Sequence, residues 1–168
     1  MLMPLASGSG SARAYQAGGA ALLVAIAVIL TALAFEHLGG YLPCPLCLQQ
    51  RYAYYGGIPL LLLALVLLRA GRTVPAAALF AVVAAAFVAN AAVGLYHAGA
   101  EWKLWAGPDT CESALRPLAT DDIGRMRVIR CDEAPWRLLG LSFAGWNVVL
   151  SLALAAAAAA AARAAWRG

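Results

Sequence analysis

Four stretches of this chain are almost purely apolar and hold no charged side chain: residues 17–35, 52–68, 74–96 and 141–162. Polar residues collect between them. At a rise of 1.5 Å per residue, such runs have the length a helix needs to cross a hydrocarbon core of about 30 Å. The pattern predicts an all-α integral membrane protein, a four-transmembrane-helix bundle forming a single membrane domain over residues 1–168. The second run carries Gly56, Gly57 and Pro59, so its first turns are expected to kink or to lie at the interface. The fourth ends in Ala155–Ala162, which form helix readily but are weakly apolar, so its assignment rests on its Leu/Val/Trp half. Residues 1–16, with Ser7-Gly8-Ser9-Gly10-Ser11, have the composition of a flexible tail. Outer loops are expected at 36–51 and 97–140, and Arg69-Ala70-Gly71-Arg72 makes a tight inner turn.

Composition supports a bilayer protein, since 64% of residues are hydrophobic and only 12% charged, against about 25% charged in soluble domains. The formal net charge of +4 does not signal nucleic acid, because its distribution follows membrane sides. Arg13, Arg69, Arg72, Arg163 and Arg167 flank the spans with no acid among them. All 8 acidic residues, Glu36 to Glu133, fall on the opposite side. Under the positive-inside rule both termini are cytoplasmic and both cysteine-bearing loops face outward. Ala32-Leu33-Ala34 resembles a signal-peptidase site, but the long apolar run and long polar leader favour an uncleaved helix. An outward location matters because disulfides persist there and are rare in the cytosol.

Cys44-Pro45-Leu46-Cys47 carries the strongest chemical signal. With Cys44 at the N-cap and Pro45 at N1, Cys47 falls at N3, where free backbone N–H groups and the helix dipole favour a thiolate. Cys47 is therefore expected to be the activated sulfur. Arg51 follows one turn later on the same face, close enough to add positive charge or to donate hydrogen bonds, or else to anchor the helix at the headgroups. The other cysteines, Cys111 and Cys131, lie in the long polar loop with nineteen residues between them. That spacing does not match a second C-x-x-C of a tetrathiolate zinc site, so no metal is expected. A static disulfide scaffold is the plainer alternative, though it requires neither a helix start nor a neighbouring arginine.

Cys44-Pro-Leu-Cys47-Leu-Gln-Gln-Arg51 at the head of the second of four spans, with a cysteine pair in the second outer loop, resembles the DsbB family of quinone-coupled disulfide bond formation proteins. Trp136 after Cys131, followed by Leu139-Gly140-Leu141, is similar to that family's return into the last helix. The resemblance implies a bacterial inner-membrane location, a bound ubiquinone or menaquinone and a periplasmic DsbA-like partner. It further implies that Cys44 and Cys47 are the quinone-proximal pair and Cys111 and Cys131 the partner-facing pair. Arg51, His97 and Trp136 are then the cofactor-binding residues. His97 and Trp136 also fit ordinary roles at a membrane interface. Two features depart from the family pattern: the Cys111–Cys131 stretch is short, and residue 50 is Gln where some members carry an acid. Besides the inert scaffold, a vitamin K epoxide reductase-like thiol/quinone enzyme is the other reading, although its C-x-x-C is expected near the end of the bundle.

Overall fold

A computed structural model describes residues 9–108, 127–128 and 131–168. Its helices are α1 (Ser9–His37), α2 (Pro45–Arg69), α3 (Thr73–Glu101) and α4 (Phe143–Trp166). All four are long and apolar enough to cross a membrane. Each helix packs on its neighbours in the cyclic order α1, α2, α3, α4, and α2 scarcely meets α4 across the diagonal. Short connections at 38–44 and 70–72 make α1, α2 and α3 successively antiparallel.

The bundle closes on small side chains. In lipid there is little hydrophobic drive between helices, so close van der Waals approach sets the packing. Ala155, Ala158, Ala161 and Ala165 give α4 a buried alanine face, while Phe80, Phe87, Leu61 and Val83 fill the core between α2 and α3. At Gly18 of α1 a Cβ would stand 2.6 Å from the Phe80 ring, so only glycine admits that ring.

Three boundaries differ from the sequence expectation. Residues 9–16 are not a tail: α1 begins at Ser9, and Ser11 and Ala14 are buried. At Gly10 a Cβ would lie 2.9 Å from the Ala164 carbonyl oxygen, so the Gly/Ser composition that suggests flexibility instead lets α1 touch the end of α4. At the other end, α2 starts at Pro45 and α3 runs to Glu101, so both chemistry-bearing segments assigned to outer loops are partly helical. The Gly56–Pro59 stretch lies within one continuous helix, where Pro59 removes a single backbone donor.

Two small ladders organise the end of the bundle that holds the cysteines. β1 (Tyr41–Leu42) pairs in parallel with β2 (Arg127–Val128), Tyr41 opposite Arg127 and Leu42 opposite Val128. β3 (Arg137–Leu138) and β4 (Leu141–Ser142) form an antiparallel hairpin that leads into α4. Its turn needs left-handed backbone at Leu139 (φ 52°) and Gly140 (φ 84°).

Candidate functional site

Cys44 caps α2 with its own sulfur. It sits in extended backbone (φ −72°, ψ 165°), Pro45 supplies the preset first turn, and the Cys44 Sγ accepts the Cys47 backbone N–H at 3.2 Å. The two sulfurs lie 2.9 Å apart, and His97 Nε2 is 3.8 Å from the Cys44 Sγ. These contacts correct the sequence expectation about which sulfur is favoured as thiolate. The Cys47 thiol beside it holds the Cys44 thiol down, burial opposes this, and His97 and the Cys47 N–H add to the lowering, from 9.0 to about 5. The helix start donates its N–H to the capping sulfur, not to the one at N3.

The two cysteines also face different neighbours. Cys44 packs with Leu46 and Cys131 in a small buried cluster against which Cys47 rests. Cys131 is itself disulfide-bonded, whereas Cys44 and Cys47 are free thiols. The β1–β2 ladder makes this meeting possible, because it ties the segment just before Cys131 to the strand just before Cys44. Cys111 lies outside the described residues.

Cys47, unlike Cys44, lines a cavity of about 450 Å³ between the helices at the cysteine-bearing end of the bundle. Arg51, His97 and Trp136, the three residues assigned to cofactor binding from sequence, line the same cavity. Ala27, Val28, Ile29 and Leu150 give it an apolar wall, and aromatic rings close its outer end. Trp136 stacks on Phe143 with centroids 5.3 Å apart, and Phe35 meets the Phe143 ring edge-on at 5.0 Å. A site of this volume, mostly apolar with a few convergent polar groups, suits a drug-sized ligand.

Several polar partners were not foreseen from sequence. Arg51 donates to the Glu36 carboxylate of α1, so its charge is shared with an acid at the cavity wall. His97 is only 2% exposed; its Nδ1 meets Gln50 Nε2 at 2.9 Å, and its Nε2 lies 3.8 Å from Glu101. Glu101 in turn accepts from the Ser142 hydroxyl at the N-cap of α4. Below them Asn147 Nδ2 donates to Gln50 Oε1 at 2.7 Å, and Tyr54 Oη donates to Asn147 Oδ1 at 2.9 Å. Asn90 Nδ2 donates to Ser151 Oγ at 2.9 Å. Among the described residues every buried side-chain N or O has a partner. The ligating atoms of Cys44, Cys47 and His97 lie within 4.8 Å of one another, a soft-cation spacing that the cysteine pattern alone did not suggest.

Fold and site together define a multi-pass membrane protein of the disulfide-forming class: four spanning helices, a thiol pair capping the second, and a cavity beside it. The chain belongs to the DsbB family, since the family model described as "Disulfide bond formation protein DsbB" matches residues 15–161. It is 31% identical to "Disulfide bond formation protein B" of Stutzerimonas stutzeri (strain A1501) over 142 residues, covering 78% of this chain and 80% of that protein. It is also 24% identical to an uncharacterized protein of Rickettsia prowazekii (strain Madrid E) over 140 residues, covering 79% of this chain and 78% of the other. No solved structure matches.

Proposed function

We propose that this protein reoxidises a periplasmic DsbA-like dithiol carrier at the bacterial inner membrane and delivers the two electrons to ubiquinone or menaquinone. The observation that carries the reading is the division of labour within the C-x-x-C pair: Cys44 packs against the disulfide-bonded Cys131 while Cys47 lines the cavity. The cavity's residues fit a quinone. Phe35, Trp136 and Phe143 offer flat apolar surface to a ring, while the Arg51 guanidinium brings hydrogen-bond donors suited to a carbonyl oxygen.

Each sulfur step is a thiolate attack on a disulfide with no net change in electrons or atoms. The partner's thiolate attacks Cys111, and the partner's second thiol displaces it; the partner leaves oxidised, and Cys111 and Cys131 hold two electrons and two protons as thiols. Cys131 as thiolate then attacks Cys44 of an oxidised Cys44–Cys47 pair, releasing Cys47 as thiolate toward the cavity, and Cys111 completes the outer disulfide. Cys44 and Cys47 now carry the electron pair. Bound quinone would supply a two-electron, two-proton acceptor. The chain's own residues position it, exclude water with an apolar wall, and keep Cys44 deprotonated near neutral pH.

Purified protein mixed with a reduced DsbA-like partner and a quinone should bleach quinone absorbance in step with partner oxidation. Partner oxidation without quinone reduction, or neither, would remove the proposal.

A further inference from the structure

We infer that Gln50 and Asn147 are positioning residues that place the His97 ring proton on Nε2, the nitrogen facing Cys44. A directed chain of hydrogen bonds leads to the ring. Asn147 Oδ1 receives the Tyr54 hydroxyl at 2.9 Å, with Asn90 Nδ2 at 3.4 Å and Ser151 Oγ at 3.5 Å. With that oxygen occupied by donors, Asn147 turns its NH2 toward Gln50, which meets it with the carbonyl oxygen at 2.7 Å. Gln50 is left presenting its NH2 to His97 Nδ1 at 2.9 Å. An amide NH2 can only donate, so Nδ1 must accept through its lone pair, and the proton of that tautomer lies on Nε2.

Burial favours this direction. Gln50, Asn90, Tyr54, Ser151 and His97 are all buried, so a reversed Asn147 amide would set its NH2 against the Asn90 NH2, where an unmatched donor is costly. The Nε2–H then points into the gap shared by the Cys44 sulfur and the Glu101 carboxylate, each 3.8 Å away. It can donate to the Cys44 thiolate. The same proton occupies the lone pair through which His97 would complete a cation site with Cys44 and Cys47, so the amide chain turns that triangle away from metal binding although its spacing permits it. The catalytic consequence rests on the thiol-to-quinone reading above, whereas the tautomer stands on the hydrogen bonds alone.

The test is 15N NMR of the full chain labelled at histidine, near neutral pH and in the reduced state, with His37→Gln removing the signals of the only other histidine. The expected spectrum shows a bare Nδ1 and a protonated Nε2. Asn147→Asp is the informative variant, because Asn147 is hydrogen-bonded to Gln50 and not to His97. A carboxylate at 147 accepts only, so it should turn Gln50 end for end, present a carbonyl oxygen to Nδ1 and move the proton there. Gln50→Glu should produce the same switch directly and carries the test if Asn147→Asp does not fold. Quinone turnover in the switched variants should fall about tenfold or more, the size of one lost hydrogen bond to a charged acceptor. A wild-type ring protonated on Nδ1 or a ring unmoved by the substitutions would overturn the inference, and a switch with unaltered turnover would overturn its catalytic consequence. Wild-type protein with the expected spectrum but no quinone reduction would instead remove the proposed function and leave the tautomer in place.

Discussion

The Cys44 sulfur does two jobs with one lone-pair set: it caps α2 and it is held as a thiolate, by Cys47 first and by His97 and the Cys47 N–H besides. Because its pKa lies near 5 and not at the ordinary 9.0, the thiolate ultraviolet absorbance that Cys44→Ser removes from the reduced protein should be flat from about pH 6 to about pH 8 and fall as pH drops through about 5. A pH titration of that difference absorbance would check this, and an absorbance that only rises as pH passes above about 8 would contradict it. Arg51 makes a second prediction. Arg51→Ala should raise the apparent quinone KM about tenfold, or roughly 1.4 kcal/mol, through loss of a donor at the cavity wall and exposure of the Glu36 carboxylate it now neutralises. Unchanged steady-state KM would return Arg51 to a structural ion pair. The thiol pair and Arg51 could be found from sequence because their relation is local, one helical turn. Gln50, Glu36, Glu101 and Asn147 could not, because their partners lie on other helices and no periodicity announces them.

Helix starts carry the chemistry in this fold. Cys44 begins α2, while Ser142 begins α4, accepting the Gly145 N–H at 3.2 Å and donating to Glu101 at the end of α3. Ser142→Ala removes a cap and leaves a buried carboxylate short of a donor, so it should cost about 1–2 kcal/mol, read as a lower Tm in detergent. A change within error would mean that water replaces the hydroxyl. The four runs of apolar residues gave the helices, but composition misjudged their ends: Ser9–Gln16 joins α1 because its small residues pack on α4, and Ala98–Glu101 extends α3 because Glu101 finds Ser142. Propensity is weak at such ends, and tertiary contacts decide them.

At the scale of the whole molecule, all described cysteines and the cavity gather at one end of the bundle, opposite the turn at 70–72 between Arg69 and Arg72. Cys131 is only 1% exposed, so it is a poor reporter of sidedness although it lies outside the four helices. Two exposed positions serve better. In a cysteine-free background, Lys103→Cys should react with a membrane-impermeant maleimide on intact spheroplasts, and Arg72→Cys only after lysis. The reverse pattern would invert the topology and the proposed periplasmic partner with it.

The polar chain through Gln50, Asn147, Asn90 and Ser151 bears on assembly as well as on chemistry. Its acceptors and donors alternate between helices, with α4 supplying Asn147 and Ser151. Synthesis proceeds from the N-terminus, so α2 and α3 reach the bilayer before those partners exist. A three-helix stage therefore leaves Asn90 without Ser151 and the Gln50 carbonyl oxygen without Asn147, although the Gln50 NH2 already meets His97 of α3, and lipid offers no substitute for the missing partners. Arrival of α4 relieves it only when Asn147 and Ser151 stand level with their partners, which sets how far the last helix slides into the bundle. The final span thus fixes its own depth by the same bonds that orient the histidine.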